Sequence, residues 1–120
     1  MAGKRIDRIN EQLRRELSQI VVGEVRDPRV GPLTVTRVTT APDLTLAKVY
    51  VQLVGDDEER KETLAGLRAA TPFIRTALGQ RVPMRRVPEL RFEPDRNLEH
   101  ALRIEELLRD VEAGDEDREE

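Results

Sequence analysis

Between Leu78 and Phe92 the chain reads Leu-Gly-Gln-Arg-Val-Pro-Met-Arg-Arg-Val-Pro-Glu-Leu-Arg-Phe. Arg81, Arg85, Arg86 and Arg91 stand there against a single acid, Glu89. A helical apolar pattern stops at Gly79, and a run ending at Phe92 alternates as a strand does. The cations therefore fall in a turn between a helix and a strand. Guanidinium groups grip phosphate through paired N–H donors and stack on bases, so such a turn can hold a nucleic-acid backbone. Arg68 and Arg75 are seven residues apart. They extend the cluster onto one helix face if the bend between them is small. Contacts of this kind give affinity and position without reading sequence. A solvated face that only keeps the chain in solution is the competing interpretation of the same charges.

Other chemistries lack their residues. The chain has no Cys and one His, His100, so disulfides are excluded and a transition-metal site has no ligand cluster. Its glycines form neither a phosphate loop nor a dinucleotide fingerprint. Carboxylates are plentiful, but Asp56-Asp57-Glu58-Glu59 reads as a helix start and the six of residues 111–120 fall in a tail. No pair of them is singled out as a catalytic acid and base. Neither an enzyme nor a cofactor is expected. Aromatic residues are scarce: Tyr50, Phe73 and Phe92. Both Phe fall at core-like positions, so base stacking is expected to be minor. Backbone docking on an already folded RNA is expected instead.

The net charge of −3 hides a division. Residues 111–120 hold six acids and one base, a net of −5, which leaves the rest of the chain at +2. An acidic run without apolar periodicity reads as a disordered, solvated tail. Only Lys4, Lys48 and Lys61 are lysines; the other basic residues are arginines. At 120 residues, one domain with a modest core is expected. No apolar run approaches the ~20 residues that cross a bilayer, and no secretory signal precedes the first helix, so the expected compartment is the cytoplasm.

The elements that must position these cations follow from periodicity. Ile6, Ile9, Leu13, Leu17, Ile20 and Val21 make one apolar stripe and predict a helix over 4–25. Arg26-Asp27-Pro28-Arg29 ends it, because a proline disfavours helical geometry in the residue before it. Asp27-Pro28-Arg29 is read chiefly as this structural stop. β-Branched residues predict a strand over 33–40, with a bulge near Arg37 and Val38. A turn at Ala41-Pro42-Asp43-Leu44 leads to a second strand over 46–54, antiparallel to the first. Leu64, Leu67, Phe73, Ile74, Ala77 and Leu78 predict a helical stripe that Pro72 interrupts. Two helices, 57–70 and 72–79, with a bend at Ala70-Thr71-Pro72 follow. A third strand is expected over 87–93, then a last helix over about 97–110, capped by Asn97 and carrying Leu98, Leu102, Ile104, Leu107 and Leu108. The domain thus spans 1–110, with the tail at 111–120. The order α-β-β-α-α-β implies an α+β sandwich with one sheet face covered by helices.

Asp27-Pro28-Arg29, Thr34-Val35, Pro42-Asp43-Leu44, Ala47-Lys48-Val49-Tyr50-Val51, Phe73-Ile74-Arg75, Leu78-Gly79 and Arg85-Arg86-Val87-Pro88-Glu89-Leu90-Arg91-Phe92 occur in one order. In that order the chain resembles the ribosome-binding factor A family over residues 5–108. The resemblance implies a type II KH-like fold. It also implies binding to the immature small (30S) ribosomal subunit and its 16S rRNA, help in late maturation including 5′-end processing, growth in the cold, and cooperation with assembly GTPases. A free monomer is expected. That family bends its helix pair at an Ala-x-Gly pattern, where this chain has Ala70-Thr71-Pro72. The expected RNA contacts are Arg68, Arg75, Arg81, Arg85 and Arg86, with Lys48 and Arg29 secondary. The alternatives are a KH-type RNA binder of another pathway and a protein-interaction module using its sheet edge.

Overall fold

Residues Ala2–Gly23 form one 22-residue helix, α1, in the computed structural model, which describes residues 2–96 and 104–109. Leu13, Leu17, Ile20 and Val21 recur at helical spacing and are buried. The helix stops before the predicted end. Glu24 and Val25 both donate their backbone N–H to the Ile20 carbonyl, so the ladder ends there. The chain then turns on Asp27, whose carboxylate accepts from the Arg29 N–H at 2.9 Å. This turn packs against the second helix at Gly66, where an added Cβ would stand 2.7 Å from a Val30 methyl.

Strands β1 (Leu33–Thr40) and β2 (Leu46–Leu53) pair antiparallel. The register shifts between Val35 and Arg37. The extra residue is Thr36, one place before the predicted bulge. The shift turns Val35 and Val38 to the same face, and both are buried. Without it, strict alternation would put one of them in water. At the inner end of β1, Asn10 of α1 accepts from the Thr40 N–H at 3.1 Å and its hydroxyl at 2.7 Å. That bond ties helix to sheet.

Helix α2 (Asp57–Ala69) opens on a capping box. Asp56 accepts from the Glu59 N–H at 2.8 Å, while the Glu59 carboxylate accepts from the Asp56 N–H at 3.4 Å. Helix α3 (Thr71–Arg81) follows after one residue, Ala70. Pro72 lies in the first turn of α3, where an N–H has no intrahelical partner in any case. The interior-proline penalty therefore does not arise. The Thr71 hydroxyl donates to the Leu67 carbonyl at 3.1 Å and satisfies an acceptor at the break.

Strand β3 (Glu89–Pro94) lies parallel to β2, giving the sheet order β1-β2-β3. It starts two residues later than predicted, because Val87 and Pro88 belong to the preceding turn. Ala47, Val49 and Val51 of the central strand meet Leu90 and Phe92 of β3 under the helices. Burying a side chain such as Phe92 contributes on the order of 2–3 kcal/mol. One apolar expectation fails. Phe73 is 51% exposed, because Ile74, Ala77 and Leu78 set the buried line of α3 and Phe73 lies outside it. Residues 104–109 are helical, with Ile104, Leu107 and Leu108 exposed. Asn97, Leu98, His100, Leu102 and the acidic segment 111–120 lie outside the described residues. Among the described residues no helix is long and apolar enough to cross a membrane.

Candidate nucleic-acid interface

The predicted arginines separate into groups with different surroundings. Arg68 and Arg75 flank a groove between the α2–α3 bend and β3, together with Thr71, Pro72 and Arg91. Arg68 donates to the Phe92 carbonyl at 3.2 Å. Arg75 donates to the Val87 carbonyl at 2.7 Å and the Pro88 carbonyl at 3.0 Å. β3 is an edge strand, and the Phe92 carbonyl points away from β2. Arg68 therefore caps an acceptor that would otherwise invite another strand. Carbonyls are neutral, so both guanidiniums keep their positive charge and have N–H donors to spare.

Arg81 is held differently. It closes α3 and reaches across to α1 and the turn after it, donating to Glu24 of that turn at 2.6 Å and to Gln19 and Glu16 of the helix at 2.9 and 3.4 Å. Its hydrogen bond to Glu24 raises its pKa. Two carboxylates cancel its charge where the sequence offered none nearby. Arg29 is likewise neutralised: its guanidinium donates to both oxygens of Asp27, at 3.1 and 2.7 Å. These bonds pull the Asp27 carboxyl down to about 2.

Arg85 and Arg86 are exposed and make no hydrogen bond or ion pair with any described residue. They lie on the turn that Arg75 fastens. The same turn places them beside Arg5 of α1 across a groove of about 390 Å3. Arg5 also lines a second groove with Lys4 and Arg8. Those three residues are exposed and equally unpartnered among the described residues. Lys4, Arg5, Arg8, Arg85 and Arg86 thus make a continuous line of free cations. Sequence reasoning missed the α1 half of it. The available signal was a first turn of α1 with no acid in it, although acids are what a helix N-terminus favours.

Lys48 is on the sheet face away from the helices, opposite Arg91 and Thr39 on the neighbouring strands. On that face Arg37 stacks 4.2 Å over the Tyr50 ring, a favourable cation–π geometry. Lys48 therefore does not join the Arg85–Arg86 line. Among the described residues no group of three or more His, Asp or Glu is placed to hold a metal.

An antiparallel pair joined to a parallel third strand through two helices meeting at a bend, all on one face, defines a KH-like α+β domain. A crystal structure of ribosome-binding factor A from Thermus thermophilus superposes with a TM-score of 0.69 at 33% identity, covering 77% of this chain and 97% of that one. Coordinates of the same factor, fitted into a cryo-EM map of a 30S complex, give a TM-score of 0.61 at 35% identity over 72% and 90% of the two chains. The family model for ribosome-binding factor A matches residues 5–108. Ribosome-binding factor A of Halothermothrix orenii is 47% identical over 100% of this chain and 99% of its own length. That of Brevibacillus brevis is 41% identical over 97% and 96%. The chain belongs to the ribosome-binding factor A family.

Proposed function

We propose that this protein is a small-subunit assembly factor that docks on the 16S rRNA of the immature 30S particle. The observation that carries the reading is the line of unpartnered cations from Lys4 to Arg8 and on to Arg85 and Arg86, on a chain of this family. A relative from Thermus thermophilus has been fitted in a 30S complex, which supports the same partner here. No bond is made or broken in this reading. Binding favours one arrangement of the rRNA over its competitors by differential affinity. Late maturation, including 5′-end processing, and growth in the cold follow as consequences of that preference. The protein acts as a cytoplasmic monomer without a cofactor, linked functionally to GTPases of assembly.

In this reading Arg85 and Arg86 touch phosphate directly, and Arg68 and Arg75 add positive potential from the neighbouring groove. Arg81, Arg29 and Lys48 are secondary contacts, the first two already sharing their charge with carboxylates. Co-sedimentation with isolated small and large subunits tests the proposal. Binding to small subunits alone, lost steeply as salt rises and lost in the Arg85→Ala, Arg86→Ala double variant, is the expected result. Equal binding to both subunits, or a folded double variant that binds normally, overturns it.

A further inference from the structure

The groove beside Arg85 is more than a charged surface. Ile9, Leu13, Val82 and Met84 give it an apolar floor, and Arg5, Arg85 and Arg86 rim it. Its volume of about 390 Å3 falls in the range of small-ligand sites, roughly 300–1,000 Å3. A flat phosphate-docking surface needs neither the depth nor the apolar floor.

Leu44 supplies a second, independent observation. It lines this groove and its backbone is in the left-handed region, at φ 62°. That region disfavours a branched aliphatic residue and suits Gly or Asn. Leu44 does not repay the strain through the core, because it is absent from the core cluster and its packed fringe. The hairpin turn fixes that backbone, since the Leu44 N–H donates to the Ala41 carbonyl at 2.8 Å, and it leaves the side chain at the groove wall and not in the core. Asp43, the one acid lining the groove, is already occupied by the Thr45 N–H at 3.1 Å and hydroxyl at 2.7 Å. It is thus committed to the turn.

We infer that this groove takes one unpaired nucleotide of the bound RNA. Its base lies on Leu44, Met84 and Ile9, and its flanking phosphates lie on Arg5, Arg85 and Arg86. The inference rests on the RNA-docking reading and sharpens it. The protein recognises a place where a base has left its helix, as well as the backbone around it. The free cations continue past the groove through Arg8 and Lys4, as an extended polyanion requires. An acidic peptide with apolar side chains shares part of this chemistry, but it would need no such extended track.

The test uses the full chain with three probes: a short single-stranded oligoribonucleotide, the same strand annealed to its complement, and the same strand carrying abasic positions. Glycine at 44 removes the wall and relieves the backbone, so Leu44→Gly should keep its fold; Leu44→Asn, also at ease in this conformation, is the companion variant. The expected result is that both variants bind the intact single strand about five- to tenfold more weakly, the worth of one apolar contact. Their affinity for the duplex and the abasic strand should stay unchanged, while Arg85→Ala weakens all three. If the abasic strand binds as tightly as its parent, or both variants keep full single-strand affinity, the groove holds no base and the assignment fails. Leu44-dependent binding of an acidic, leucine-bearing peptide, with none of the oligoribonucleotide, also overturns it in favour of a protein partner. Small-subunit co-sedimentation of the unaltered chain runs in parallel. Its failure counts against the docking reading, whereas unchanged oligonucleotide affinity in both variants of an otherwise co-sedimenting chain counts against the groove alone.

Discussion

Arg75 donates to the Val87 carbonyl at 2.7 Å, and a second nitrogen of the same guanidinium reaches the next carbonyl, Pro88, at 3.0 Å. The contact spans twelve residues and fastens the Arg85–Arg86 turn to α3. Pro88 is fully buried, so its carbonyl has little recourse to water once the donor is gone. Arg75→Ala should cost about 1–3 kcal/mol, the penalty for unsatisfied acceptors that had a charged donor. Arg75→Lys should restore less than half, because a single ammonium does not fork across two carbonyls. Urea denaturation with an unchanged slope measures both. Faster amide exchange confined to the turn would identify the loosened part, and an unaltered midpoint for Arg75→Ala would refute the fastening role.

Arg81 and Arg85 look alike in sequence and should separate in experiment. Arg81 holds α3 to α1 through Glu16 and to the turn after α1 through Glu24, whereas Arg85 is bonded to no described residue. Arg81→Ala should lower stability slightly, and less at high salt, as partly exposed ion pairs do. Arg85→Ala should leave the melting temperature unchanged and flatten the salt dependence of small-subunit binding by about 0.7–0.9 in log–log slope, one phosphate contact. Salt titrations on both variants decide it. A larger slope change for Arg81→Ala than for Arg85→Ala would contradict the division.

The difference between those two arginines marks where the sequence stopped being legible. Periodicity is local, so α1, the hairpin, the capped start of α2 and the α-β-β-α-α-β order could be read from it. The Glu16–Arg81 pair joins residues 65 positions apart, and no spacing rule reaches that far. Phe73 failed for a related reason. A stripe counted through Pro72 assumes one continuous helix, but the phase restarts at Thr71, and Ile74 takes the buried direction. The thirteen positions from 57 to 69 carry no phase information across that break. Lys4, Arg5 and Arg8 were hidden because they sit on the first element, whereas Arg85 and Arg86, which Arg5 faces across the groove, lie between the fifth and the sixth. Leu44 gave no sign at all, since backbone strain has no signature in residue type.

Asp27 makes stability depend on acid. Hydrogen bonds from Arg29, first its guanidinium and then its backbone N–H, hold the Asp27 carboxyl at about 2, below the ~3.9 of an unfolded aspartate. A depressed folded value means the stabilisation is complete above the unfolded pKa and is lost as pH falls through the folded one. Asp27→Asn should therefore lower the melting temperature at neutral pH, and the gap to the unaltered chain should close between about pH 4 and pH 2. Thermal melts across that window measure it. A gap that persists unchanged at pH 2 would show that the carboxylate charge is not what fixes the turn.

Gly66 provides a test of the same turn from the opposite side. It is buried in the interior of α2, where alanine would ordinarily gain ~1 kcal/mol over glycine. Here a new Cβ would meet a Val30 methyl at 2.7 Å and the Arg29 Cβ at 3.3 Å. Val30 is β-branched and stiff about its first torsion, so the turn itself would have to move. Overpacking of this kind costs about 1–3 kcal/mol, which outweighs the helical gain. Gly66→Ala should therefore destabilise the protein, whereas Gly3→Ala in α1, with nothing within 4 Å of the new Cβ, should be neutral or stabilising. Opposite signs in chemical denaturation are expected, and loss at Gly66 should come with weakened protection of the Gly31 N–H, which donates to Thr63 of α2 at 3.1 Å. Stabilisation by both substitutions would mean that the Asp27–Val30 turn yields easily, and that close packing against α2 does not hold it.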